Sequence, residues 1–300
     1  MRGGACRGLT LAVVAAILAA VLLAPARRPQ MAEVAGSFVW NHPHPRFGGL
    51  SAIDLAPDGL GFVVVSDTAA FFSGRFARGP EGEVTGAEIG APVLPVSHHG
   101  TPLQDWMEDA EGVAILPDGG FYVSYESHDR IVRYGPGGRE WIAEHWPPVL
   151  RTLTLNKGIE ALAIDAAGRL LAMPEAPPGG GDTPVWRIRG QEAELAFTLR
   201  RDRNWAPTGA DFGPDGRLYL LERDFWPLLG FSSRVRRIAL SGDLVVADEV
   251  IWQSDPGRHD NLEGIAAWRD GAGAIRLTLL SDDNFLPVQR TEVVDLRVIP

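Results

Sequence analysis

The chain has 300 residues, of which 45% are hydrophobic and 22% are charged, a composition that excludes a largely disordered protein. Its formal net charge of −10 argues against a nucleic-acid-binding surface, and the single cysteine, Cys6, excludes both a disulfide framework and a zinc site built from cysteines. The 35 glycines and 23 prolines follow no collagen period and predict many tight turns between short strands.

Residues 1–28 are predicted to be a secretory signal peptide or an N-terminal membrane anchor. Two arginines precede an apolar run over residues 9–24, and small residues suited to cleavage follow it. An uncleaved anchor stays an alternative, because Pro25 is unfavourable near a cleavage site. We therefore expect an exported, periplasmic or extracellular, monomeric domain over residues 34–300, with membrane contact only through the N-terminal segment.

Five units with one common pattern follow this segment. Each unit starts with a short strand of small and apolar residues, continues through a turn such as Pro-Asp-Gly and then forms a second apolar strand. The Asp-Gly turns supply the positive φ that a tight hairpin requires. The first strands begin near residues 49, 111, 160, 208 and 263, and the second strands are predicted at 62–66, 121–125, 170–173, 218–221 and 275–281.

The spacing of these units predicts the fold. A period of about 50 residues that contains a hairpin and little helical pattern is typical of four-stranded propeller blades. We predict an all-β chain that forms a single β-propeller of five blades. Residues 34–40 are expected to close the last blade, which would remove its open edge. Six blades are the alternative, with residues 77–109 containing a degenerate blade.

Acidic residues occur at matching places in these units. Three first strands open with glutamate, and every second strand ends in an acid. Adjacent strands of a blade are antiparallel, so these side chains are expected to meet at one mouth of the axial channel. Clustered carboxylates favour a bound divalent cation, Ca²⁺ first, because their oxygens are ligands for hard ions. The alternative is that each acid only accepts backbone N–H groups. The predicted ligands are Glu111, Glu160, Glu263, Asp67, Glu126, Glu175, Glu222 and Asp282.

Several segments of the units carry a resemblance to a known family. They are Asp109-Ala-Glu-Gly-Val-Ala, Asn156-Lys-Gly-Ile-Glu-Ala-Leu-Ala, Pro174-Glu175, Asn261-Leu-Glu-Gly-Ile-Ala and a Ser-Asp-Asp-Asn-Phe segment near the C-terminus. In this order and spacing they resemble the phytase-like family, the group described by esterase-like activity of phytase. The resemblance implies an exported, calcium-dependent β-propeller that acts on phosphate or carboxylic esters.

Basic residues adjoin the acids in sequence and are expected at the same end of the propeller. Cations there would bind a phosphoryl or carboxylate group and stabilise charge that develops in the transition state. A structural ion pair is the alternative role for each arginine. We predict metal-assisted hydrolysis with a carboxylate as general base. The predicted catalytic residues are Glu160, Glu263, Lys157 and Arg223, and the predicted substrate-binding residues are Arg130, His128, Arg203 and Arg258.

Other functions share the predicted architecture. The protein could be a non-catalytic propeller, with a structural axial ion and loops that bind a partner. It could also be a sugar-acid lactonase or a quinone-dependent dehydrogenase. The chain contains no Gly-x-Ser-x-Gly elbow, P-loop, dinucleotide fingerprint or EF-hand loop. On the acidic cluster and the family resemblance, a hydrolase that acts on a small ester or phosphate is the leading hypothesis.

Overall fold

The computed structural model describes residues 30–104, 107–154, 157–202 and 204–299. The predicted signal or anchor over residues 1–28 lies outside the described residues. Within the described part of the chain, no helix is long and apolar enough to cross a membrane.

The described residues form twenty β-strands and a short 3-10 helix, Pro148–Thr152. In chain order the strands are β1 (Ala32–Val39), β2 (Leu50–Leu55), β3 (Gly61–Ser66), β4 (Phe71–Arg78), β5 (Val84–Ile89), β6 (Ala110–Ile115), β7 (Phe121–Tyr125), β8 (Arg130–Tyr134), β9 (Trp141–His145), β10 (Ile159–Ile164), β11 (Leu170–Pro174), β12 (Thr183–Arg189), β13 (Glu192–Leu199), β14 (Ala206–Phe212), β15 (Leu218–Trp226), β16 (Gly230–Ser241), β17 (Leu244–Gln253), β18 (Asn261–Arg269), β19 (Ile275–Asp282) and β20 (Glu292–Val298).

These strands make five four-stranded antiparallel sheets, the blades of a β-propeller. Blades one to four contain β2–β5, β6–β9, β10–β13 and β14–β17, and blade five contains β18–β20 together with β1. The first strand of each blade contacts the first strand of the next, and β18 contacts β2, so the ring closes around an axis. The prediction of an all-β, five-bladed propeller is confirmed.

The six-bladed alternative is wrong. Residues 77–109 supply the end of β4 and all of β5, both in blade one, and then the connection to blade two. Two isolated bridges, Phe71 with Val93 and Val96 with Pro102, tie this connection down. The described residues of the stretch contain no further sheet.

The N-terminal strand closes the ring as predicted. β1 pairs antiparallel with β20, from Ala32 opposite Val298 to Val39 opposite Glu292. The last blade therefore borrows its outer strand from the other end of the chain, which leaves that sheet without an open β20 edge. β1 is antiparallel to β20, which is antiparallel to β19, so β1 and β19 run in the same direction. β1 therefore begins at the end of the blade where β19 begins, away from Asp282.

Asp-Gly turns form the first hairpins of blades one, two and four, as the sequence indicated, whereas those of blades three and five have their positive-φ glycine at Gly168 and Gly273. Gly119 and Gly216 adopt φ of 82° and 74°, values that side chains with a Cβ rarely adopt. The Asp118 carboxylate accepts the backbone N–H of Gly120 at 2.9 Å, which stabilises the turn from within.

Each blade carries a β-bulge at the same place in its first strand. The register between first and second strands shifts by one residue there, which leaves one first-strand residue unpaired. We call this the bulge position, and its five residues are Ser51, Glu111, Glu160, Thr208 and Glu263.

The residue after the bulge is glycine in three blades because neighbouring first strands approach closely. A Cβ on Gly209 would lie 2.4 Å from the Glu263 carbonyl oxygen, and one on Gly264 would lie 2.8 Å from the Ile53 nitrogen. The Glu-Gly motif thus combines two tasks. Glycine permits close packing around the axis, and the bulge displays the preceding glutamate.

Candidate functional site

The glutamates at the bulge position come together although they belong to three blades. Burial, followed by the charges of Glu160 and Glu263, raises the pKa of Glu111 well above its ordinary value. Burial also raises the pKa of Glu160, with Glu263 among the contributing charges. Carboxylates shift one another's pKa only at short range, and poor solvation strengthens the effect. The predicted convergence of Glu111, Glu160 and Glu263 is therefore present in the structure.

A second set of side chains follows from the same register. In each blade, we define the rim position as the second-strand position that lies opposite the residue two before the bulge. In blade one, for example, Leu50 directly precedes the bulge residue Ser51 and pairs with Ser66, so the rim residue is the next one, Asp67. The five rim residues are Asp67, Glu126, Glu175, Arg223 and Asp282.

The fourth blade thus presents an arginine where the other four present acids. Pro207 pairs with Glu222 and Ala206 pairs with Arg223, so Arg223 holds the rim position. Neighbouring residues of a strand point to opposite faces, and Glu222 therefore points away from the rim. Its carboxylate, 1% exposed, accepts hydrogen bonds from Arg234 Nε at 2.6 Å and Arg236 Nη1 at 2.9 Å.

Glu222 is accordingly not retained as a metal ligand. The sequence predicted that the second strand of blade four ends just before Glu222, whereas β15 continues to Trp226. Counting from the turn glycine would have found the right residue. Glu126 and Glu175 lie seven residues after Gly119 and Gly168, and the residue seven after Gly216 is Arg223.

Asp109 belongs to the acidic cluster and was not among the predicted ligands. It lies two residues before the bulge residue Glu111, and its carbonyl oxygen accepts the backbone N–H of the rim residue Glu126 at 2.7 Å. Carboxylate oxygens of Asp109, Glu111 and Glu126 all lie within 4.8 Å of one another. These three acids of blade two could hold a metal ion. The Asp-x-Glu spacing was the available signal.

We define the acidic mouth by eight carboxylates from four blades. They are Asp67, Asp109, Glu111, Glu126, Glu160, Glu175, Glu263 and Asp282.

The electrostatics of the acidic mouth are unfavourable without a counter-ion. Burial raises the pKa of Asp67, Glu126 and Asp282 to about 7 in each case. The charges of Asp282 and Asp109 add to the effect at Asp67. Asp67 Oδ1 is moreover buried without a hydrogen-bond partner among the described residues. An all-oxygen donor set with an unsatisfied carboxylate oxygen fits a hard divalent cation.

Arg223 supplies a positive charge inside this cluster. Its Nη1 donates to Asn261 Oδ1 at 2.8 Å and to Glu263 Oε1, and its Nη2 lies 3.4 Å from Glu175 Oε1. Burial opposes its charge, but the surrounding Glu263, Glu160 and Glu175 carboxylates outweigh burial and raise the pKa of the guanidinium. Arg223 therefore bridges blades three, four and five at the acidic mouth.

Arg130, predicted to bind substrate, is part of the protein interior. Its side chain is 0% exposed, its Nη2 donates to the Met107 carbonyl oxygen at 2.8 Å, and its guanidinium lies 4.1 Å from the Tyr125 ring centroid. A residue without exposed surface cannot bind substrate directly, so its substrate-binding role is withdrawn. Its contacts are those of an arginine that packs between strands.

Of the other predicted cations, the structure describes Lys157, His128 and Arg258. Lys157 and Arg258 are exposed, and Lys157 precedes Gly158, which lies two residues before the bulge residue Glu160. His128 is partly buried, its ring centroid is 4.5 Å from that of Trp146, and burial lowers its pKa. Arg203 lies outside the described residues.

Solved structures of several other proteins are similar to this chain at low sequence identity. The PQQ-bound aldose sugar dehydrogenase from Streptomyces coelicolor is 15% identical, with a TM-score of 0.46, over 90% of this chain and 99% of that one. A protein of unknown function from Dyadobacter fermentans is 13% identical, with a TM-score of 0.49, over 88% and 86% of the two chains. The α-L-arabinofuranosidase from Podospora anserina, in complex with cellotriose, is 12% identical, with a TM-score of 0.47, over 87% and 95%.

No curated protein sequence matches the chain. A family profile does match it, over residues 45–285, which include the five bulge positions and the five rim positions. The chain belongs to the phytase-like family, described by esterase-like activity of phytase.

Proposed function

We propose that the protein is an exported hydrolase of phosphate or carboxylic esters that requires a divalent cation at the acidic mouth, with Ca²⁺ as the leading candidate. The observation that carries the proposal is the convergence of eight carboxylates from four blades around Arg223. Membership of the phytase-like family supports the reaction class.

A cation explains why so many acids occupy one place. Buried carboxylates at short range hold their protons near pH 7, which is a cost that a divalent ion removes. Ca²⁺ accepts six to eight oxygens in flexible geometry, which suits ligands from separate blades. Asp109, Glu111 and Glu126 are the first candidates to hold the ion, because their oxygens are already grouped. The ion would supply charge neutralisation and Lewis-acid activation of water and ester.

The chain's own residues have separate roles in the proposed reaction. Arg223 is aimed at the mouth and can donate to a phosphoryl or carboxyl oxygen as negative charge develops there. Glu263 and Glu175 position its guanidinium. Glu160 is the proposed general base, since its raised pKa lets it accept a proton from attacking water near neutral pH. Lys157, exposed beside Gly158, would attract the anionic part of the substrate.

The proposed location and partners follow from the N-terminal sequence and the charge. Residues 1–28 support export, and the net charge of −10 disfavours nucleic acid as a partner. We propose a monomer that acts on a small molecule. N-terminal sequencing of protein recovered from a periplasmic fraction tests export and reports directly whether the signal is cleaved.

Hydrolysis of p-nitrophenyl phosphate and p-nitrophenyl acetate tests the activity. Protein stripped with a chelator and reloaded with Ca²⁺ should hydrolyse at least one ester, and Glu160→Gln should reduce kcat by about 10²- to 10⁴-fold, as expected for loss of a general base. Glu88→Gln removes an exposed acid of the outermost strand of blade one and serves as the matched control. Calcium binding without hydrolysis of either ester would favour the non-catalytic propeller instead.

A further inference from the structure

One hairpin rises above the acidic mouth and distinguishes blade four from the others. In blades one, two, three and five, the second strand ends at the rim position or one residue before it. β15 continues three residues past Arg223, and its pairing with β16 extends to Trp226 opposite Gly230. At about 3.4 Å per residue, this ribbon projects roughly 10 Å beyond the rim.

The ribbon turns an aromatic face towards the mouth. Phe225 lies two residues after Arg223 and so shares its face of the strand, and Phe231 pairs with Phe225 across the ribbon. The two phenyl rings lie 5.1 Å apart, and the Arg223 guanidinium lies 6.0 Å from the Phe231 ring centroid. Phe225 is nevertheless 60% exposed. An apolar wall thus begins directly at the arginine of the mouth.

The opposite face of the ribbon is partly covered by the protein itself. Asp224 is buried near Arg234, and the Trp226 indole forms a side-chain hydrogen bond with Asp224. The fully exposed Leu228 lies at the tip, with φ of 71°. Exposed apolar surface on the ribbon is therefore found at the mouth-facing Phe225, at the tip and, on the opposite face, at the partly covered Trp226.

The charge of the mouth restricts what can lie against this wall. Eight carboxylates and one guanidinium carry a net charge of −7 when all are ionised, so four divalent cations are needed before the mouth becomes positive. A polyphosphorylated substrate would be repelled at lower occupancy. A neutral ester with an apolar group avoids this repulsion, and a substrate with a single anionic ester group meets less of it than a polyphosphate does.

We propose that Phe225 and Phe231 bind the apolar, aryl or acyl, part of a monoester substrate whose ester group lies at Arg223. The proposal rests on the proposed function and names its substrate class. Aromatic pairs contribute specifically through offset or edge contacts, and Phe225 presents an open ring for such a contact. The hairpin determines specificity, while the acids and Arg223 perform the chemistry.

Binding of two non-hydrolysable probes tests this assignment. Titration calorimetry of the calcium-loaded protein with phenylphosphonate and methylphosphonate measures the contribution of the phenyl group. The dissociation constant for phenylphosphonate should be about 3- to 10-fold lower in the wild type, as expected for one aromatic contact. Phe225→Ser should bring this ratio close to one, with methylphosphonate binding unchanged. myo-Inositol hexakisphosphate should bind more weakly than phenylphosphonate.

Leu228→Asn is the matched control, since asparagine tolerates the positive φ and only the tip loses apolar surface. It should leave both phosphonate constants unchanged. Equal binding of the two phosphonates by the wild type, or a ratio that survives Phe225→Ser, would overturn the substrate wall and leave the proposed function standing. Sedimentation with phosphatidylcholine vesicles that is lost in Leu228→Asn, together with such an unchanged ratio, would assign the hairpin to a lipid surface instead. Failure of both phosphonates to bind would overturn the wall, and together with hydrolysis of neither p-nitrophenyl ester it would overturn the proposed function as well.

Discussion

Arg223 of blade four and Glu263 of blade five form an ion pair at the acidic mouth. Glu263 reaches this place because it occupies the bulge position, and Arg223 because it occupies the rim position. The pair joins two blades and places a fixed positive charge beside several carboxylates whose pKa values are raised. The cation-free protein therefore depends on one arginine for part of the compensation that we attribute to a metal ion.

Replacement of Arg223 should make the protein dependent on calcium. In chelator at pH 8, Arg223→Gln should lower the free energy of unfolding by about 3–5 kcal/mol, the cost of breaking a buried ion pair. Saturating Ca²⁺ should recover more stability in the variant than in the wild type. Arg75→Gln, which removes a 58% exposed partner of Asp58, should cost about 0–1 kcal/mol. Urea unfolding with and without calcium measures both. Equal losses for the two variants would contradict the assigned role of Arg223.

The raised pKa values predict an inverted dependence of stability on pH in the absence of metal. Asp67 and Asp282 titrate at about 7 in the folded protein, compared with an ordinary value of 3.8. Between these values the folded state binds more protons than the unfolded state, so the free energy of unfolding falls as pH rises from about 4 to 7. In chelator, the protein should therefore unfold at lower urea concentration at pH 8 than at pH 5.5.

Calcium should reverse this trend. Metal ligands must be deprotonated, so calcium affinity rises as pH increases through 7 and the ion removes the repulsion. Urea midpoints across this range, with chelator or with Ca²⁺, check both statements. Midpoints that rise with pH in chelator would show that the acids ionise freely in the folded protein.

Substitutions of Glu222 and Asp282 should have opposite effects on stability and on calcium affinity, because we assign a structural role to Glu222 and metal binding to Asp282. Glu222→Gln removes the charge that Arg234 and Arg236 share and should cost about 3–5 kcal/mol of stability, because two arginines lose a buried partner. Calcium affinity should not change. Asp282→Asn should do the opposite, weakening calcium binding while stabilising the chelated protein at pH 8. Calorimetric calcium titration beside urea unfolding distinguishes them, and reduced calcium affinity in Glu222→Gln would restore Glu222 as a ligand.

Close packing of the first strands predicts intolerance of a methyl group at Gly209. Its Cβ would meet the Glu263 carbonyl oxygen at 2.4 Å, and the ring of blades gives that backbone little freedom to move. Gly209→Ala should destabilise the protein by about 1–3 kcal/mol, as overpacking does. Gly271→Ala is the control, because a Cβ there meets nothing within 4 Å. Equal thermal midpoints for the two variants would contradict the packing argument.

The sequence predicted the repeat, the blade count and the closing strand because each has a local signature. Turns with glycine, several of them Asp-Gly, mark the hairpins. The last unit has room for only three strands, and residues 34–40 have the composition of a strand and could supply the fourth. The observed β1, Ala32–Val39, differs from that prediction by two residues at its start. Such features depend on neighbouring residues alone, so they can be read without coordinates.

The sequence did not reveal where strands end and how bulges set the register. Glu222 and Arg223 are adjacent, and a shift of one residue exchanges their faces. The sequence reading also placed Arg130 at the mouth because it follows Glu126, whereas its side chain returns to pack on Tyr125. Adjacency in sequence fixes the location of a backbone atom, but a long side chain reaches several ångströms in a direction set by tertiary packing.

Calcium titration of chelator-treated protein at pH 8 tests the central claim most directly. We predict saturable binding in the wild type, with a gain of about 2.7 kcal/mol in unfolding free energy at one hundred times the dissociation constant. Glu111→Gln should weaken this binding and Glu88→Gln should not. Absence of binding to Ca²⁺, Mg²⁺ and Mn²⁺, or binding that Glu111→Gln leaves unchanged, would contradict a metal centre formed by the carboxylates of the acidic mouth.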